Sequence, residues 1–363
     1  MEQMTPRQRV IATLEHQPID RIPFTWGFGF NHPPLEHLRR YLNIDTTEEM
    51  SERIRRVDDI GQIWPRYIGP DYRNVREGDT ETTYWGYRTK FVSYGEDGYN
   101  ETVYCPLAEA ESVEEIDAYE FPRADWFDFS DLEAQIDAIN KEQPKAIRFG
   151  GCNPFEICSW LRGFENVLMD TLVSPELLHC MMRHVTDFML EYTKRALEAA
   201  NGKIDILFTA DDLGSQNGLL MSIETIREFI IPYHKEINDL AHQYGAKVMF
   251  HSCGSCILGV EDLIGCGVDI LESLQFYTVG MTPEALKDNF GDRICFQGGI
   301  SVQKTLPYGT PEEVTQEVEH LKRVLGKNGG YLLAPAHAIQ AGTPPENIIA
   351  ALKAAGRLEE LLA

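Results

Sequence analysis

A (β/α)8 TIM barrel, with a helical extension at the N-terminus and a β-hairpin insertion, is the fold class this 363-residue sequence predicts. Beyond Pro144 short apolar runs alternate with amphipathic helical stretches, the pattern that crossover helices impose on a parallel sheet. Six such runs (146–150, 204–210, 247–251, 269–274, 294–297 and 331–334) join two earlier ones, 22–26 and 60–64, and bring the count to the eight a barrel requires. No G-x-G-x-x-G follows any of them, which removes the main signal for a dinucleotide-binding, doubly wound sheet.

Taken in order, Thr5 caps a first helix over 6–16, with Pro6 at an early helical position, and Pro18 ends it. The strand at 22–26 runs into a loop at 27–34 whose two glycines, Asn31 and Pro33-Pro34 imply exposed backbone near a pocket; His32 reads as a loop histidine. Helical periodicity returns at 35–41 and 47–57, followed by the strand at 60–64. Residues from about 70 to 143 differ in character, rich in Thr, Tyr, Gly and Trp, with period-two stretches at 85–92 and 101–104 around Gly95-Glu96-Asp97-Gly98. That segment reads as an insertion into one barrel domain spanning 1–363. Long helices are expected at 175–200 and 223–244.

The net charge of −24 and the lack of a basic stripe argue against nucleic acid or an anionic membrane as partner. No apolar run reaches the roughly 18 residues that span a bilayer, and the charged N-terminus has no apolar signal core, so the expected compartment is the cytoplasm. The eight cysteines lack a small-domain spacing and are expected as free thiols or ligands. A homodimer is compatible with the sequence.

Catalytic groups of such a barrel belong at the C-terminal ends of its strands. Those ends carry Cys152, Asn153 and Glu156; Asp211, Asp212 and Gln216; His251 and Cys253; Glu272 and Gln275; Gln297; and His337 with Gln340. Adjacent Asp211 and Asp212 follow an apolar strand and are candidate catalytic carboxylates, with turn capping as the structural alternative. Glu272 lies inside the run DILESLQF, where a carboxylate is costly unless paired or ligating, so it joins them. Glu156, Gln216, Gln297 and Gln340 suit substrate orientation, although the glutamines also serve to satisfy loop backbone. His251 and Cys253, two apart at the end of KVMFHSC, point to one side if the strand persists; LLAPAHA repeats the strand-then-His arrangement at His337. These three are the candidate metal ligands, a set that suits zinc and leaves one position open.

The segments MTPRQRVIATLEHQPIDRIPF, RGFENVLMDTLVSPELLHCMM, ADDLGSQNGLLMS, FHSCGSCILGVEDLIGCGVDILESLQF, FQGGISVQKTLPYGTPEEVTQEVEHL and GGYLLAPAHAIQAGTPPENI together resemble the uroporphyrinogen decarboxylase superfamily. The resemblance implies a (β/α)8 barrel. True decarboxylases of that superfamily grip their substrate's carboxylates with an arginine-rich loop after the first strand; here the loop reads TWGFGFNHPP, without Arg or Lys. The chain is more similar to the cobalamin-dependent methyltransferase branch, whose thiol-activating members hold zinc with H-x-C and a later Cys. His251 and Cys253 match the first part, and His337 stands near the place of the later Cys. The implied activity is methyl transfer between a corrinoid carried by a separate protein and a small-molecule donor, or a thiol or folate acceptor. For a folate, Asp211, Asp212 and Gln216 are the residues that would hold the pterin. Decarboxylation or lyase chemistry on a small substrate, and non-catalytic corrinoid or tetrapyrrole binding, are the rival readings. Cys256 is expected on the helix that follows the H-x-C strand.

Overall fold

The computed structural model describes residues 3–363. Its strands in chain order are β1 (Ile60–Gln62), β2 (Arg66–Tyr67), β3 (Val75–Glu77), β4 (Thr80–Thr82), β5 (Arg88–Tyr94), β6 (Asp97–Tyr104), β7 (Phe127–Asp128), β8 (Ala146–Cys152), β9 (Ile206–Ala210), β10 (Lys247–His251), β11 (Ile270–Ser273), β12 (Cys295–Ile300) and β13 (Tyr331–Pro335). Strands β1 and β8 to β13 form one parallel sheet in sequence order. The remaining segment, around Phe24, lies between the two edges of that sheet. Thr25 N–H donates to the Leu333 carbonyl at 3.0 Å and Leu333 N–H to the Pro23 carbonyl at 2.9 Å, while Asp59 N–H donates to the Phe24 carbonyl at 2.9 Å. Phe24 therefore bridges β13 to the residue before β1, and the barrel closes with eight staves.

The barrel interior is layered. Ile60, Ala146, Ile206, Met249, Ile270, Cys295 and Leu332 form one apolar cluster at the floor, together with Val10 and Leu14 of the first helix, Pro6–Leu14. That helix plugs the N-terminal end, and a reciprocal capping box starts it: Gln8 N–H donates to Thr5 Oγ1 and Thr5 N–H to Gln8 Oε1. Side chains two residues further along a strand face the same side. The next layer up is therefore Gln62, Arg148, Phe208, His251, Glu272, Gln297 and Ala334. An apolar floor thus carries a largely polar ring toward the mouth. The larger core lies outside the sheet, between strands and helices, and includes Phe149, Leu207, Val248, Phe250, Leu271 and Phe296.

The segment read as a hairpin is a four-stranded antiparallel sheet, β3 to β6, in which β5 and β6 form the expected hairpin about Gly95-Glu96. The hairpin is tied to the mouth of the barrel: Asp97 Oδ2 accepts from Asn31 Nδ2 at 2.7 Å and from Ala341 N–H at 3.2 Å. Three expectations need correction. His32 is the first residue of a helix, His32–Tyr41, because Pro33 and Pro34 supply the φ of a first helical turn without needing donors there. The helix expected at 223–244 is two, Ile223–Phe229 and Ile231–Gln243, broken at Ile230 where Pro232 cannot donate to the preceding turn. Cys256 is buried just before the short helical turn Ile257–Gly259 and not within it. Among the described residues no helix is long and apolar enough to cross a membrane.

Candidate functional site

His251, Glu272 and Gln297 are register partners on β10, β11 and β12, so the polar ring sets them side by side. His251 Nδ1 is hydrogen-bonded to Glu272 Oε2, which leaves Nε2 to face the mouth. Cys253 Sγ lies 3.5 Å from that Nε2. His337 approaches from the loop after β13, and one ligand atom each from His251, Cys253 and His337 lies within 4.8 Å of the others.

The chain beyond β10 is held tightly enough to fix Cys253. Its N–H donates to Asp212 Oδ1 at 2.6 Å, and the next N–H, of Gly254, donates to Gln275 Oε1 at 2.8 Å. Gln275 Nε2 also donates to Cys253 Sγ at 3.5 Å. Gly254 has φ +75°, and a side-chain carbon there would sit 2.4 Å from the carbonyl carbon of Gly214, so only glycine fits where these two loops touch. Beyond Glu272 the backbone is strained at Ser273 (φ 102°) and Leu274 (φ 58°). Ser273 Oγ donates to the carbonyl of Ala336 at 2.9 Å, which couples the strained turn to the residue before His337.

Three features of this arrangement fit a metal. The donors are two imidazoles and a thiol, a set that suits zinc. The carboxylate behind His251 is the usual outer partner of a ligating imidazole. His337 Nδ1 is buried with no hydrogen-bond partner, as are Glu272 Oε1 and both side-chain atoms of Gln297. Burial, with the neighbouring His251 second, lowers the pKa of His337 and favours the neutral form that ligates metals. A second His/Cys/Asp group pairs Cys180 and His184 of the helix Pro175–Ala199 with Asp117 at the end of the helix Val113–Asp117, and its members are already joined by hydrogen bonds of 2.7 and 3.3 Å to Asp117.

The other residues singled out from sequence distribute unevenly. Asp212 stands beside the cluster, its Oδ1 3.7 Å from His251 Nε2. Asp211 is fully buried, and its oxygens accept from Phe155 N–H (3.1 Å), Glu156 N–H (2.8 Å) and His234 Nε2 (2.7 Å), holding the start of the helix Pro154–Arg162. Its pKa is raised by burial, against the opposing pull of His234. Gln216 is exposed on the loop after β9, where its carbonyl accepts from Val279 N–H, and Gln340 lies beside Tyr99 of the inserted sheet. Glu156 accepts from Asn153 Nδ2 at 3.0 Å. Burial and the charge of Asp211 push its carboxyl up to about 7.

A carboxyl that binds its proton more tightly in the folded state stabilises the protein below its unfolded pKa, and that contribution disappears as pH rises through the folded value. Relative to a Glu156→Gln variant, the wild type should therefore lose stability between about pH 4.5 and 7. Urea denaturation of both proteins at pH 5 and pH 8 checks this; an unchanged difference would contradict it.

Two site residues, Phe28 and Arg148, were not anticipated from sequence, nor was the role of a third, Gln275. Phe28 stacks on His337 (ring centroids 4.8 Å, 6°) and meets His251 edge-on at 4.7 Å. It is flanked by Gly27 (φ 60°) and Gly29 (φ 75°), whose left-handed backbone turns the ring over both histidines. Gln275, noted only as a strand-end residue, braces Cys253. Arg148, in the polar ring, lies over the Phe208 ring at 5.0 Å, and burial lowers its pKa against the raising effects of Glu272 and Asp58. Its signal was present in the sequence: Arg148 stands two residues beyond a floor position, as His251 does.

A family model described as "Uroporphyrinogen decarboxylase (URO-D)" matches residues 103–358. The methylated-thiol–coenzyme M methyltransferase of Methanosarcina mazei is 31% identical over 201 residues, 55% of this chain and 50% of that protein. The uroporphyrinogen decarboxylase of Psychromonas ingrahamii is 25% identical over 191 residues, 51% and 50% of the two chains. In these matches the chain spans about half the length of the curated relatives. The methylcobamide:CoM methyltransferase of Methanosarcina barkeri is 22% identical over 371 residues, covering 98% of each chain. A solved methyltransferase from Methanosarcina mazei shares the fold with a TM-score of 0.68 at 17% identity, over 98% of this chain and 100% of that one. The family match covers well over half of the chain and includes β8 to β13 with the turns that carry His251, Cys253 and His337, so the chain belongs to the uroporphyrinogen decarboxylase (URO-D) family.

Proposed function

We propose that the protein is a methyltransferase that moves a methyl group between a corrinoid carried by a separate protein and a small thiol, with zinc held by His251, Cys253 and His337. The observation that carries this reading is the convergence of those three donors at the barrel mouth, with Glu272 behind His251. The similarity to relatives named as thiol and methylcobamide methyltransferases supports it. Zinc bound there supplies Lewis acidity that keeps a coordinated thiol deprotonated near neutral pH.

The chain's own residues do the rest. Glu272 fixes the tautomer of His251 and Gln275 steadies the Cys253 sulfur, while Asp212 holds the Cys253 backbone. Phe28 packs against both histidine rings and holds their orientation. Asp211 acts as a positioning residue, through the helix that presents Glu156. A tetrapyrrole with many carboxylates is a poor fit. The polar ring contains one arginine, little cationic grip for such a molecule.

The test is spectroscopic. Under anaerobic conditions the zinc-loaded protein, a thiol and methylcob(III)alamin should give cob(I)alamin at a rate proportional to protein. A methylcobalamin spectrum unchanged across a panel of small thiols would count against the proposal. Glu272→Gln should keep the fold but weaken zinc binding by about 10- to 100-fold, because the carboxylate that orients His251 is lost; competition with a chromophoric chelator measures it, and unaltered affinity would remove Glu272 from the site.

A further inference from the structure

Outside the barrel, Asp117, Cys180 and His184 bring a carboxylate, a thiol and an imidazole together, with one ligand atom from each within 4.8 Å of the others. Cys180 and His184 stand four residues apart on the helix Pro175–Ala199, the spacing that sets two side chains on one helix face. Asp117 comes from the opposite side, as the last residue of the helix Val113–Asp117 in the inserted segment. Its Oδ1 is shared: His184 Nε2 lies 2.7 Å from it, and Cys180 Sγ donates to it at 3.3 Å.

Three observations set this group apart from an ordinary surface hydrogen bond. Phe121 stacks on His184, with ring centroids 4.5 Å apart and 9° between the planes, which holds the imidazole with Nε2 toward Asp117. Among the described residues no lysine or arginine pairs with Asp117, whereas Asp187, three residues beyond His184, pairs with Arg183. Asp117 also stands at the C-terminal end of its helix, where the peptide dipoles disfavour an anion. The group therefore carries a negative charge that a cation would balance, beside two donors that ligate cations.

We propose that Asp117, Cys180 and His184 form a second metal site, one that takes a zinc-class divalent ion and clips the inserted segment to the helix Pro175–Ala199. Zinc binds sulfur at about 2.3 Å and imidazole nitrogen or carboxylate oxygen at about 2.0 to 2.2 Å, which spaces tetrahedral donors about 3.3 to 3.6 Å apart. The three donors lie close to that spacing, and small side-chain rotations complete it. Binding releases the Cys180 thiol proton to solvent and leaves the His184 proton on Nδ1, so the ion replaces both hydrogen bonds to Asp117. Burial, and then the Asp117 carboxylate, push the Cys180 thiol up to about 12, so the ion competes with a firmly held proton. With three protein ligands and Asp117 exposed, this is a lower-affinity site that dialysis against metal-free buffer is expected to empty. The assignment does not depend on the reaction at the barrel mouth.

The test uses the full-length Cys253→Ala protein, so that a thiolate bound to added metal cannot come from the barrel cluster. Cobalt(II) titration reports thiolate coordination through the near-ultraviolet sulfur-to-cobalt charge-transfer band, and zinc should displace the cobalt and abolish the band. The expected result is a saturable band at one cobalt thiolate per chain. Adding Cys180→Ala should remove it. Adding His184→Ala should weaken cobalt binding by more than about tenfold, since even an outer partner of a ligand is worth about 10- to 100-fold. Zinc should also raise the thermal midpoint of Cys253→Ala more than that of the Cys253→Ala/Cys180→Ala protein, because an ion bridging two elements binds the folded state alone. No band in Cys253→Ala, or a band that survives Cys180→Ala, would overturn the proposal. If the double variant does not fold, Asp117→Asn in the Cys253→Ala background decides: weaker cobalt binding supports the site, and unchanged affinity overturns it.

Discussion

Cys253→Ala is expected to lower methyl transfer by more than about 100-fold, since loss of an outer partner of a metal ligand already costs about 10- to 100-fold and loss of the ligand itself costs more. The effect should be confined to chemistry and metal content. Cys253 is only partly buried, and the loop that carries it is held by backbone hydrogen bonds to Asp212 and Gln275 that alanine preserves. Thermal unfolding of the metal-free variant should therefore match the metal-free wild type. Initial rates with methylcobalamin and a thiol, at saturating zinc, measure the loss; a variant with rates within about threefold of wild type would show that the sulfur is not needed. His337→Cys is the informative companion, because the resemblance puts a cysteine near this place and either residue is a competent zinc ligand.

Asp211→Ala should destabilise the fold by about 3 to 5 kcal/mol, the range for removing one member of a buried, hydrogen-bonded charged group. The carboxylate accepts from two helix-start amides and from His234, and Asp211 and His234 are both fully buried. Alanine leaves all three donors without an acceptor. Asp211→Asn keeps one carbonyl oxygen and should cost less. Urea denaturation monitored by far-UV circular dichroism gives the difference from the shift in midpoint at constant slope. The outcome that would return Asp211 to a catalytic role is an Asp211→Asn protein of wild-type stability whose turnover has collapsed.

The contrast between Asp211 and Asp212 shows where sequence reading succeeds and where it stops. An apolar strand ending in two carboxylates marks a barrel mouth, and that much was legible. Which of the two faces the reacting centre depends on what waits on the neighbouring elements. Here those neighbours are His234, on a helix more than 20 residues away, and the amides at the start of another helix. Strand positions were legible because period and length specify them, and β10 falls where expected, at Lys247–His251. The metal candidates were legible because a strand-then-His pattern occurs twice. Phe28 was not, since a phenylalanine between two glycines has no chemistry to announce it until the loop folds over His251 and His337. Arg148 was hidden differently. The loop after the first strand holds no arginine, and Arg148 stands inside a strand, in the layer directly above the floor. The glutamines were the weakest inference: Gln297 lies in the ring, but Gln216 and Gln340 were drawn to loop and insertion contacts that strand-end position alone does not reveal.

His251, Cys253 and His337 are proposed to form one zinc site. Metal analysis by inductively coupled plasma mass spectrometry, on protein purified without added metal and dialysed against buffer free of chelator, tests it most directly. Close to one zinc per chain is expected in the wild type and in a Cys180→Ala control outside the barrel, and little or none in Cys253→Ala and His337→Ala. A wild type without zinc that gains none on reconstitution, or Cys253→Ala and His337→Ala proteins that keep the wild-type complement, would contradict it.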